Sequence, residues 1–192
     1  MRRIALLLLA ALASFGLVAC GGESTGSTAA GSSSTASDHN EADVMFAQMM
    51  IPHHQQAVEM ADLADSRAQN PQVKALAAKI RGAQAPEIQT MTGWLTSWGQ
   101  SATMSGGGHG SGHGGSTGMM TPEDMQKLMG ATGAEFDRMF LTMMTEHHKS
   151  AITMAQDEQQ NGQFAPAKEL ATQIVTTQQT EVTEMEALLK QV

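Results

Sequence analysis

From residue 41 onward, apolar positions recur in alternating steps of four and three. Phe46, Met50, His53, Ala57, Met60 and Ala64 form one seam, while Gln48, Gln55, Glu59 and Asp62 fall on the opposite face. This period predicts a helix over about 41–68 that packs in a bundle. A second seam of Ile80, Gln84, Glu87, Met91, Trp94 and Trp98 predicts a helix over 71–98. Between them, Asn70 is placed to cap and Pro71 to occupy the first turn. Pro52 lies inside the first helix and is expected to kink it just before His53.

The pattern then repeats. Asp43, Met45, Phe46, Met49, Met50, His53 and His54 return 94 positions later as Asp137, Met139, Phe140, Met143, Met144, His147 and His148. Residues 41–98 and 135–192 align without a gap, at 20 identities in 58 positions. The second copy predicts helices near 134–161 and 166–191, with a Thr132…Glu135 capping box and a turn marked by Gly162 and Pro166. Two helical hairpins joined by a long crossover make an all-α, ferritin-like four-helix bundle. The crossover, 99–121, is Gly-rich and reads as mobile, and a short extra helix over 122–130 follows Thr121.

The N-terminal residues follow another logic. Met1-Arg2-Arg3 precedes an apolar run from Ile4 to Ala19, ending Leu17-Val18-Ala19-Cys20. This has the form of a signal peptide (1–19) with a bacterial lipobox, in which Cys20 takes the lipid and becomes the new N-terminus. Residues 21–37 are Gly/Ser/Thr/Ala-rich, so 20–37 reads as a flexible tether to a bundle over 38–192. The expected location is outside the cytoplasmic membrane, anchored to it through lipid.

The seams carry residues that a core does not ordinarily hold. In a hairpin turning near residue 70, His53 falls level with Glu87 and Met49 with Met91; in the second copy, His147 falls level with Glu181 and Met143 with Met185. The expectation is a His beside a Glu in each hairpin, and a polar, Met-rimmed layer across the bundle centre. His54 and His148 are placed on the flank of the seam. Buried ionisable groups in such a group suggest a functional site. Met49 and His53, like Met50 and His54, are neighbours one turn apart, so one helix face can present thioether and imidazole together. That pairing suits copper, Cu(I) in particular, although the carboxylates leave other transition metals open. Asp43 and Asp137 read as helix-start charges, and Met60, Met154, Met125 and Met129 as packing. His109 and His113, with Met104, Met119 and Met120, lie in or beside the Gly-rich crossover and read as plain linker, with transient metal capture the alternative.

Composition narrows the classes. There are 16 Met against 5 Phe, one Cys, and 19 Asp+Glu against 11 Lys+Arg, for a net charge of -8. One Cys excludes a disulfide framework and a Cys-rich metal site. The acidity speaks against a nucleic-acid partner, and loss of Arg2 and Arg3 with the leader deepens it to -10.

The stretches Phe46-x2-Met49-Met50-Ile51-Pro52-His53-His54-x2-Ala57 and Phe140-x2-Met143-Met144-x2-His147-His148-x2-Ala151-Ile152 resemble the family known as domain of unknown function 305. Gln84-x2-Glu87-Ile88-x2-Met91-x2-Trp94-Leu95 and its weaker copy from Gln178 extend the resemblance, which covers about 40–98 and 134–192. It implies an exported or lipid-anchored ferritin-like bundle. It also implies the activity of the CopM-like members, which bind periplasmic copper through Met and His. The second copy departs from the first at Glu146 for Pro52 and Leu188 for Trp94.

The leading expectation is a lipid-anchored metal-binding protein that is not an enzyme and that buffers or delivers copper. Its candidate ligands and near partners are His53, His54, His147, His148, Met49, Met50, Met143, Met144, Glu87, Glu181, Met91 and Met185. A structural module whose His/Glu layer only sets register remains open. So does a di-metal oxidase, although such sites need Glu-x-x-His motifs that the seams lack.

Overall fold

The computed structural model describes residues 38–102 and 118–192. Cys20, the tether, Met104, His109 and His113 lie outside the described residues. The helices are α1 (Glu41–Arg67), α2 (Pro71–Ser97), α3 (Pro122–Gly130), α4 (Gly133–Asn161) and α5 (Ala165–Leu189). All five match the ranges read from the sequence to within two residues. Among the described residues no helix is long and apolar enough to cross a membrane.

The helix ends show which local signals act. Asn70 caps α2 by accepting from Gln72 N–H at 2.8 Å, with Pro71 in the first turn. Thr121 caps α3 by accepting from Asp124 N–H at 3.1 Å. The capping box expected at Thr132 is absent, since that side chain makes no cap hydrogen bond. A capping box does form at α1, where Asn40 and Asp43 satisfy each other's backbone N–H groups. The second copy has Ala134 where the first has Asn40, which removes the reciprocal side chain. Helix α1 continues through Pro52, and α2 through Pro86, so each loses one backbone donor without ending.

Helix α1 packs mainly on α2, and α4 on α5; α1 and α4 make the main seam between hairpins, while α2 and α5 touch little. Two carboxylates lock that seam. Asp43, near the start of α1, accepts from the N–H groups of Gln163 (3.0 Å) and Phe164 (2.9 Å), just beyond α4. Asp137, near the start of α4, accepts from Gln69 (3.1 Å) and Asn70 (2.8 Å), just beyond α1. Helices α1 and α4 are therefore antiparallel, and each aspartate closes the turn of the opposite hairpin. Both are buried, so they do more than offset a helix dipole.

The apolar core has two parts. One holds Phe46, Met50, Ile51, Met91, Leu95 and Ile174. The other holds Met60, Leu76, Ile80, Phe140, Met144 and Met185. On α1 the first part ends at Ile51 and the second begins at Ala57. The residues between them are the polar ones.

Candidate metal centre

The polar layer is made by one turn from each of four helices. His53 and His54 come from α1, Gln84 and Glu87 from α2, His147 and His148 from α4, and Gln178 and Glu181 from α5. All are buried except Glu87, whose side chain retains 18 % exposure.

At the α1–α4 seam, His53 and His147 lie ring to ring, with centroids 3.6 Å apart and planes tilted by 35°. Two protonated imidazoles could not share that position. Burial, followed by the neighbouring His53, His148 and His54 rings, holds His147 well below the ordinary histidine range. A neutral imidazole with a lone pair is the form that binds a metal.

The other two histidines face their own hairpins. His54 Nε2 lies 2.7 Å from Glu87 Oε2, and His148 Nε2 lies 2.9 Å from Glu181 Oε2. This corrects the sequence expectation that His53 stands beside Glu87 and His147 beside Glu181, with His54 and His148 on the flank. Position along a hairpin gives height, but each step also turns the side chain by about 100° at 3.6 residues per turn. That rotation aims His54 at α2 and His53 at α4.

In both pairs the carboxyl group engages Nε2, which leaves Nδ1 as the other ring nitrogen. Among the described residues, His54 Nδ1 and His148 Nδ1 are buried without a hydrogen-bond partner, as is His147 Nε2. Unpartnered imidazole nitrogens in a buried layer are costly unless something binds them. A carboxylate holding the far nitrogen of a histidine is also the arrangement that orients metal-binding imidazoles.

The methionines divide. Met50, Met91, Met144 and Met185 are fully buried, but Met50 and Met91 belong to one apolar cluster and Met144 and Met185 to the other. The antiparallel seam puts these pairs on opposite sides of the histidine layer. Met49 and Met143 are half-buried and line surface grooves. Among the described residues no three His, Cys, Asp or Glu side chains converge as a ready metal cage. The donors that do fit a metal are the paired imidazoles, with thioethers nearby.

A buried residue that the chain reading missed is Glu158. It corresponds to Ala64 on the first seam, so the repeat rule alone would have flagged a carboxylate there. It lies against Asp43. Among the described residues no donor group reaches either Glu158 oxygen, so a hydrogen bond between the two carboxyls requires a proton on the pair. Burial, and then Asp43 through that bond and its charge, push the Glu158 carboxyl up to about 8.

The fold recurs in known proteins. A DUF305 protein of Streptomyces coelicolor, described as secreted, is 34 % identical with a TM-score of 0.72, over 78 % of this chain and 93 % of that one. A DUF305 fragment from Deinococcus radiodurans is 29 % identical with a TM-score of 0.71, over 80 % and 98 %. CopM in its Cu(II)-bound form is 32 % identical with a TM-score of 0.67, over 78 % and 96 %. CopM structures in Cu(I)-bound and Ag-bound forms are similar to it as well. No curated protein matches the chain. The family model for the domain of unknown function DUF305 matches residues 43–189, the whole bundle from the Asp43 latch to the end of α5, and the chain belongs to that family.

Proposed function

We propose that the bundle binds copper, with Cu(I) favoured, and buffers or delivers it outside the cytoplasmic membrane, held there by lipid on Cys20. The observation that carries this reading is the His53–His147 pair. Two imidazoles from different hairpins meet at 3.6 Å in a buried layer that also holds unpartnered ring nitrogens. In this reading His53 and His147 are the principal ligands. His54 and His148, fixed by Glu87 and Glu181, either complete the set or steer it, and Met50, Met91, Met144 and Met185 supply soft sulfur from both sides. In this reading the role is to hold and pass on the metal. CopM, which has this fold, is known with Cu(I), Cu(II) and silver bound, and that likeness supports the metal.

Anaerobic titration with Cu(I) against a competing chelator tests the reading. A His53→Ala/His147→Ala variant is expected to lose about a hundredfold or more in affinity. Equal affinity in that variant, with the helical fold intact, would overturn it.

A further inference from the structure

Two methionines precede each central histidine at four-residue steps. On α1 they are Met45 and Met49 before His53; on α4 they are Met139 and Met143 before His147. Such spacing keeps the three side chains on one helical stripe, each rung about 6 Å along the axis. Exposure falls along the α1 stripe, from 47 % at Met45, through a half-buried Met49, to 1 % at His53. Met45 is one of two large apolar side chains among the described residues that stand exposed. Packing gives no reason for an unbranched thioether there.

The two stripes open differently. Met45 and Met49 line a groove of about 450 Å³ that Met154 of α4 completes, with Glu41 and Asp157 on its wall. Met139 and Met143 line a smaller groove of about 300 Å³, with Glu135 and with Arg138 where the first copy has Val44. The first groove thus gathers three thioethers from two helices beside carboxylates alone. The second gathers two beside a fixed positive charge. Met154, read from the chain as packing, belongs to the first groove as well as to the core edge.

We propose that the Met45–Met49–Met154 groove is a separate surface site for a soft monovalent cation, and that it loads the buried histidine pair through Met49. Thioethers select such a cation over Mg or Ca. Glu41 and Asp157 raise its local concentration, whereas Arg138 opposes entry at the second groove. The groove stands on its own residues; only the loading step rests on the copper reading of the central pair.

Methyl-labelled methionine NMR of the full chain, titrated with Ag(I), separates the two. In the His53→Ala/His147→Ala variant, the first equivalent is expected to shift the Met45, Met49 and Met154 methyl signals and leave Met139 in place. Adding Met45→Leu/Met154→Leu, which conserves volume, is expected to abolish the shift at Met49. Absence of those shifts, or equal shifts at Met139, overturns the groove site, whatever the central pair does. Groove shifts in a protein whose histidine pair takes no metal leave the groove standing and overturn the copper reading. Loading of the central pair from a Cu(I)–chelator complex is expected to slow about tenfold in Met45→Leu/Met154→Leu and to be unaffected by Met139→Leu. An unchanged rate in the first variant overturns the loading step.

Discussion

The two ends of the α1–α4 seam are built on one plan and finished differently. At one end Asp137 closes the first hairpin's turn, and the repeat equivalent of Glu158 is the buried Ala64. At the other end Asp43 closes the second hairpin's turn beside Glu158. The latch is kept because each turn has two backbone N–H groups that point inward and need an acceptor. The surroundings are free to vary, so one end has become a pair of neighbouring carboxyls, with Glu158 pushed up to about 8. The comparison shows which part of a duplicated unit is fixed by backbone hydrogen bonding and which part is open to new chemistry.

The most severe way to break the comparison is to remove the latches. Asp43→Ala leaves the N–H groups of Asn40, Gln163 and Phe164 without their acceptor, and is expected to cost about 3–5 kcal/mol in urea unfolding. Asp137→Ala leaves two such groups and should cost less, about 2–4 kcal/mol. An equal or reversed order would show that relief of Glu158 offsets much of the loss at Asp43.

The next effect is on pH dependence. Glu158 is raised from 4.5 to about 8, so the folded state holds its proton more tightly than the unfolded chain does. Its contribution to stability is fully present below about 4.5 and is lost as pH rises through about 8. Asp43 runs the other way. Burial alone would raise it, but the N–H groups of Asn40, Phe164 and Gln163 and the Glu158 carboxyl together hold it below 3.8. Its contribution is lost only as the pH falls through that lower value. Thermal unfolding should therefore show a midpoint that drops between pH 6 and pH 9, roughly the window on either side of the Glu158 value. Glu158→Gln, which cannot ionise, should flatten that drop. A slope unchanged by this substitution would assign the pH dependence elsewhere.

A smaller effect distinguishes the two carboxylate–histidine pairs. Glu181 is fully buried, whereas Glu87 keeps 18 % of its side chain exposed. Glu181→Gln is expected to weaken Cu(I) affinity toward the upper end of a tenfold to hundredfold range, and Glu87→Gln toward the lower end, as read by chelator competition. Equal losses would mean that solvent at Glu87 makes no difference. The surface pair Lys79–Glu184, at 3.2 Å and about half exposed on both sides, sets the floor. Glu184→Gln should change stability by less than about 0.5 kcal/mol.

Much of this molecule is legible in the chain. Helix limits follow from the alternating apolar steps, from Asn70-Pro71 and from Thr121-Pro122, because these signals are local. The central layer is legible too, because duplicated His and Glu residues stand at matching heights. The rotation of His53 against His54 is not, since a step that barely changes height changes direction by about 100°. The placement of Met50 and Met144 on opposite sides of the layer is set by how α1 runs against α4, and the hairpins do not encode that themselves. The latches are hidden for the same reason. Asp43 reads as a helix-start charge until the turn at Gln163, 120 residues away, is known to lie over it.

The crossed latches also bear on the ancestry and assembly of the chain. A single repeat contains an aspartate whose turn is elsewhere and a turn whose aspartate is elsewhere. Alone, a hairpin is an unfinished half, and only a second copy in the antiparallel orientation completes both ends at once. The present chain therefore has the internal anatomy of a symmetric pair written into one polypeptide. The histidine pair sits on the pseudo-twofold axis of that arrangement, where equivalent side chains from the two halves are obliged to meet.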